Sequence, residues 1–222
     1  MDIDAMEWQR SPSGQVWRKR LYLCGEKEVG RVTSLVRYEP GAQFHRHEHP
    51  DGEEIFVLEG TFSDATGDYR AGTYLLHPQG FAHAPFSRAG CTLFVRLRQY
   101  AGVARHYVST DTHAMPWQAT SQPGIEHKTL YADSAYADET RLERWAPTST
   151  VAQRCYAGGV EYFVLDGEFE DEQGHYPAGS WLRLPAGACH QPVSPHGCKL
   201  YVKLGLAAPP EETRKPRKGD GG

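Results

Sequence analysis

Three histidines alternate through one short stretch, Gly41-Ala-Gln-Phe-His45-Arg-His47-Glu-His49, and a Pro50-Asp51-Gly52 turn then leads to Glu53. In an extended strand, residues two apart point to the same face. A regular strand therefore sets His45, His47 and His49 on one face. The strand that starts at Glu53 can return its carboxylate to that face, with Ile55 and Val57 behind it. Imidazoles and a carboxylate converging among apolar side chains are donors that a divalent transition metal takes. An exposed, histidine-rich turn is the alternative, and three alternating histidines followed by a glutamate weigh against it.

The elements that must carry these residues are short. Segments 31–38, 44–49, 53–59, 74–77 and 92–98 are rich in β-branched or aromatic residues and bounded by Gly, Pro or Asp, so they read as strands. Glu59-Gly60 and Gly67-Asp68 read as turns between them. No segment long enough for a helix shows a 3.6-residue apolar period. With 23 Gly and 15 Pro in 222 residues, the expectation is an all-β chain of sandwich or barrel type.

The sequence also repeats itself. Val57-Leu58-Glu59-Gly60 recurs as Val164-Leu165-Asp166-Gly167, an offset of 107. The same shift carries Asp64 onto Asp171, Pro78, Gly80 and His83 onto Pro185, Gly187 and His190, and Gly90-Cys91 onto Gly197-Cys198. Nearer the N-terminus the offset is 109, carrying Trp8 onto Trp117 and Lys19 onto Lys128. The chain thus divides into two units, 1–108 and 115–206, with a short polar link at 109–114. Segment 207–222 has no apolar face and is expected to be a disordered tail. In the second unit His47 becomes Arg154, His49 becomes Tyr156 and Glu53 becomes Val160, while His190 alone persists in the place of His83. An arginine does not ligate a cation, so this second site reads as degenerate. Glu161 does not rescue it, because it aligns with Glu54 and alternation turns it to the opposite face.

Gly41, His47, His49, Glu53 and Gly60 fit G-x5-H-x-H-x3-E-x6-G, and Gly72, Pro78, Gly80 and His83 fit G-x5-P-x-G-x2-H. These resemble the two motifs of the cupin family, and the surrounding text in both units is similar to the cupin domain of ChrR-type anti-sigma factors. The resemblance implies two tandem double-stranded β-helix (jelly-roll) units. It implies one metal in the first barrel, with His47, His49, Glu53 and His83 as ligands. The H-x3-C-x2-C motif of the separate anti-sigma module does not occur in the sequence, so the resemblance does not bring sigma-factor binding with it.

A mixed N/O donor set without thiolate suits zinc, the first expectation, and also Fe, Mn, Ni or Co. Four protein ligands close a tetrahedral zinc site but leave open positions on a metal that prefers five or six. Two functions follow. One is a module that binds or senses a small molecule in the first barrel. The other is a metal-dependent dioxygenase or isomerase acting on a small organic acid or diketone, with Glu53 releasable as a base. No residue set announces a substrate clamp; Arg96 and Arg98 alternate on a strand of undetermined facing.

Weaker candidates surround the ligands. His45 is expected behind them or at the barrel mouth, and His77, beside Pro78, near the rim. Cys91 and Cys198 recur in register and are expected to be buried packing residues. Cys155 and Cys189 fall in the degenerate site region; five cysteines without C-x-x-C spacing make reduced thiols the expectation. A net charge of -4 gives no footprint for nucleic acid. Apolar runs such as that from Ile55 to Leu58 are too short to span a membrane. The acidic start Met1-Asp-Ile-Asp-Ala-Met-Glu is unlike a signal peptide, and the cytoplasm is the expected compartment. Phe56 and Leu58, matched by Phe163 and Leu165, face away from the metal and should pack the two barrels together, with further homodimerisation open.

Overall fold

A computed structural model describes residues 3, 5–99 and 105–206; the expected tail at 207–222 lies outside the described residues. Each half builds a curled antiparallel sheet of the same order. In the first, Val16–Cys24, Arg31–Tyr38, Cys91–Leu97 and Glu53–Asp64 pair side by side. In the second, Ile125–Ala132, Glu139–Trp145, Cys198–Leu204 and Val160–Asp171 do the same. The fold is two tandem all-β barrels, as the spacing predicts.

Alternation along the Glu53–Asp64 strand divides its side chains between two cores. Ile55 and Val57 enter the interior of the first barrel with Val16, Tyr38 and Leu93. Phe56, one residue out of step, enters a cluster shared between the barrels with Phe94, Phe163 and Tyr201. The ring centroids of Phe94 and Phe163 lie 5.0 Å apart, and those of Phe56 and Tyr201 5.6 Å. The apolar outer faces therefore cover each other, with Leu58 and Leu165 half-buried at the margin.

Charges cross this interface too. Arg96 donates from Nη1 to Glu54 Oε2 at 2.6 Å and from Nε to Glu161 Oε2 at 3.2 Å. Lys203 donates to Glu54 Oε1 at 2.8 Å and to Asp138 Oδ2 at 2.7 Å. Glu161 does face away from its own barrel, and it is buried because the neighbouring barrel supplies Arg96.

Four local expectations need correction, the first being Gly67-Asp68, which opens the strand Gly67–Arg70 and follows the turn rather than forming it. Glu59-Gly60 is not a turn: the strand runs on to Asp64, and a register shift opposite Thr92/Leu93 leaves Leu58 as an extra residue. Such a bulge bends a strand without ending it. Gly60 sits at φ 71°, and a Cβ there would lie 2.2 Å from Gly90 O, so glycine is required. Segment 44–49 is not one strand; it is Ala42–Gln43, an irregular stretch, and then His47–His49. The link at 109–114 is built structure: Val108–Asp111 pairs with Thr73–His77, and Asp111 caps a 3-10 turn at Thr112–Ala114. Thr112 then donates from N and Oγ1 to Gly72 O, fastening this segment to the first barrel.

Candidate metal centre

His47–His49 pairs antiparallel with Phe81–His83, and the register sets His47 opposite His83. The Glu53–Asp64 strand pairs with Thr73–His77, and that register sets Glu53 opposite His77. Two cross-strand pairs thus bring four histidines and one glutamate to one end of the barrel interior. His49 Nε2 lies 3.0 Å from His83 Nε2 and 3.4 Å from Glu53 Oε2, and His83 Nε2 lies 3.7 Å from Glu53 Oε2. The ligand atoms of His47, His49 and His83 all lie within 4.8 Å of one another. With metal–nitrogen bonds of about 2.1 Å, donors on a shared ion sit about 3.0 Å apart in an octahedron and about 3.4 Å apart in a tetrahedron. The donor types suit a divalent ion, and the separations of His49 from His83 and from Glu53 match that spacing.

The outer nitrogens of two rings are fixed. His47 Nδ1 donates to His45 O at 2.9 Å, and His83 Nδ1 donates to Asp64 Oδ2 at 3.2 Å. Each bond leaves the Nε2 lone pair free to face the centre. Burial pushes the His49 pKa down to about 4, against the pull of Glu53, so its ring is neutral at neutral pH. Burial raises the Glu53 pKa, but His49 and the hydrogen bond from His77 outweigh it and hold the carboxyl at about 2. Glu53 is therefore an anion and a weak base, better suited to holding a cation than to taking a proton.

The weaker candidates separate. The His45 side chain is exposed, because the chain around it is irregular rather than extended; its contribution is the backbone carbonyl that orients His47. His77 is fully buried rather than at a rim. Its Nδ1 donates to Glu53 Oε2 at 2.8 Å, and its ring stacks on Phe81 with centroids 4.2 Å apart. Asp64, which is outside the sequence motifs, joins the site through His83, and its recurrence as Asp171 is the sequence signal for it.

The second barrel keeps the frame and replaces the donors. Arg154 stands opposite His190, as His47 stands opposite His83. His190 Nδ1 donates to Asp171 Oδ2 at 2.8 Å, repeating the His83–Asp64 bond. Around it, Tyr156 Oη contacts His190 Nε2 at 3.2 Å and Tyr162 Oη. Arg154 turns to Glu143, with Nη1 donating to Oε2 at 3.0 Å. Glu143 replaces Val36 of the first barrel, so a buried ion pair and two tyrosines fill the space.

The cysteines divide. Cys91 and Cys198 are buried and free, with burial lifting their thiols to about 11 and about 12. The expectation of reduced thiols fails at the other pair: Cys155 and Cys189 form a disulfide. The cause is register, because they stand directly opposite each other on neighbouring strands. Cys24 is free and partly buried.

The histidine–glutamate cluster opens on a cavity of about 200 Å³ in the first barrel, walled by Val, Ile, Leu and Phe side chains together with Arg18, Arg98 and Glu48. Among the described residues no helix is long and apolar enough to cross a membrane.

A family model described as the ChrR cupin-like domain matches the chain twice, over residues 1–101 and 105–208. No curated protein sequence matches it. Among solved structures, a Nostoc punctiforme protein described provisionally as a dioxygenase is similar over 92% of this chain and 81% of its own, at TM-score 0.76 and 14% identity. Protein Ylba from E. coli is similar over 92% of this chain and 89% of its own, at TM-score 0.71 and 13% identity. A deletion mutant of the Bacillus subtilis oxalate decarboxylase OxdC is similar over 93% of this chain and 76% of its own, at TM-score 0.64 and 10% identity. At these identities the likeness concerns the fold.

Proposed function

The chain belongs to the ChrR cupin-like family as a tandem pair of cupin domains, and on that premise we propose that its first barrel holds one divalent metal and binds or senses a small molecule there. The observation that carries this reading is the spacing of the His49, His83 and Glu53 ligand atoms, 3.0–3.7 Å apart at one end of a cavity. His47, His49, His83 and Glu53 would hold the ion, and His77 would orient the Glu53 carboxylate. When bound, the metal supplies a Lewis acid or a redox centre. Zinc is the first expectation, with Fe, Mn, Ni and Co compatible with the same donors. The second barrel is a metal-free partner, its site filled by Arg154, Glu143, Tyr156 and Tyr162.

An enzyme is the second reading, and the cavity favours it: a closed structural metal needs no space beside it. The similar structures include an oxalate decarboxylase, which suggests small organic acids as the first substrates to try. The experiment is to purify the protein without added metal, identify the ion, and test the Fe(II) form for oxygen uptake with small organic acids and β-diketones. Zinc alone with no turnover leaves the binding and sensing reading; rapid uptake with one substrate replaces it by the enzyme.

A further inference from the structure

Arg98 ends the Cys91–Leu97 strand in a conformation that arginine disfavours. Its φ is 58°, one of two positive-φ positions among the described non-glycine residues. The counterpart in the second barrel is Gly205, which follows Leu204 as Arg98 follows Leu97 and has φ 66°. A left-handed backbone is unfavourable for any residue but glycine, and such strain at a cavity is a reason to look for a ligand. The second barrel, whose metal donors are lost, uses glycine at this place.

Arg98 lines the same cavity as His47, His49, Glu53 and His83, and so does Arg18. Arg98 donates from Nη1 to Gly30 O at 3.2 Å, and no carboxylate of the described residues lies within ion-pair distance of it. Arg18 reaches the exposed Glu28 only at 3.3–3.4 Å, and its Nε is buried without a hydrogen-bond partner. In the second barrel the place of Arg18 is taken by His127, since Arg18 pairs with Val36 and His127 with Glu143. Both arginines thus accompany the metal donors and are absent where those donors are absent. A smaller adjoining pocket of about 90 Å³ shares both arginines and adds Arg20 and Lys27 with a single carboxylate, Glu28, so cationic side chains outnumber acidic ones there.

We infer that the ligand of the first barrel is a small carboxylate with an apolar body, its carboxyl bound by Arg98 with support from Arg18. An arginine fork matches a carboxylate and gains most where water is excluded. About 200 Å³ holds roughly seven water-sized groups at about 30 Å³ each, which suits a short branched or aromatic acid. The inference rests on the metal-site reading, since it takes that cavity as the ligand site, but it is tested without turnover.

The test measures binding of isovalerate and benzoate against isovaleramide and benzamide by calorimetry, with metal counted on the same samples. Wild type should bind at least one acid about tenfold or more tighter than its amide. Arg98→Gly and Arg18→His install the second barrel's residues; Arg98→Gly also relieves the strain, so it should fold with its metal unchanged. That variant should erase the preference for the acid, and Arg18→His should reduce it. Acids that bind no better than amides, or an acid preference that survives Arg98→Gly, would overturn the inference even with metal bound. Protein without metal that still binds acids through Arg98 would sink the metal reading and leave this one standing.

Discussion

Asp64 and Asp171 hold the same histidine, His83 or His190, in two barrels whose sites otherwise differ. In the first barrel the bond fixes which ring nitrogen faces the centre, so Asp64→Asn should weaken metal affinity about 10–100-fold without unfolding the chain. A chelator competition reads this directly, and an unchanged affinity would leave Asp64 with packing alone. The candidate donors His47, His49, Glu53 and His83 are legible in the sequence because motif spacing survives in one dimension. The burial of His77 against Glu53 is not legible in the sequence, because their meeting depends on which strands pair and that register is not written in either segment. The exposure of His45 is hidden for the opposite reason: strand alternation does not hold through the irregular stretch between Gln43 and His47.

Strand pairing explains most of what differs between the barrels at the scale of elements. The 107-residue repeat marks both barrels but not the bulges at Leu58 and Leu165, where Glu59-Gly60 reads as a turn. It did not reveal that Cys155 and Cys189 face each other, because Glu48 and Ala82 occupy those places in the first barrel. The disulfide joins strands 34 residues apart in sequence and should contribute about 2–4 kcal/mol. Reductant should therefore lower the melting temperature of the wild type and leave Cys155→Ser/Cys189→Ser unaffected. Equal sensitivity in both would show that the bond contributes nothing.

The barrels behave as one molecule because an apolar cluster and a buried charge network cross between them. Sequence alternation put Phe56 and Phe163 on the shared face but gave no partner for Arg96, whose second carboxylate is Glu161 of the other repeat. Burial raises the Glu54 pKa, yet Lys203 and Arg96 hold it well below the ordinary glutamate range, and Arg105 and Lys203 also lower Asp138. A depressed carboxyl contributes stability above its unfolded pKa and loses it as pH falls. Stability should thus hold near neutrality and fall below about pH 4–5. Glu54→Gln should cost about 3–5 kcal/mol at neutral pH and flatten that acid slope, as denaturant melts across pH will read. A slope unchanged by the substitution would remove Glu54 from the account.

The most direct test of the central claim is the metal content of purified protein, counted per chain. One divalent ion per chain is expected in the wild type and in His190→Ala, and none at stoichiometric level in His47→Ala or His83→Ala. Two ions per chain, or loss of the ion in His190→Ala with retention in His47→Ala, would contradict the assignment of the working site to the first barrel.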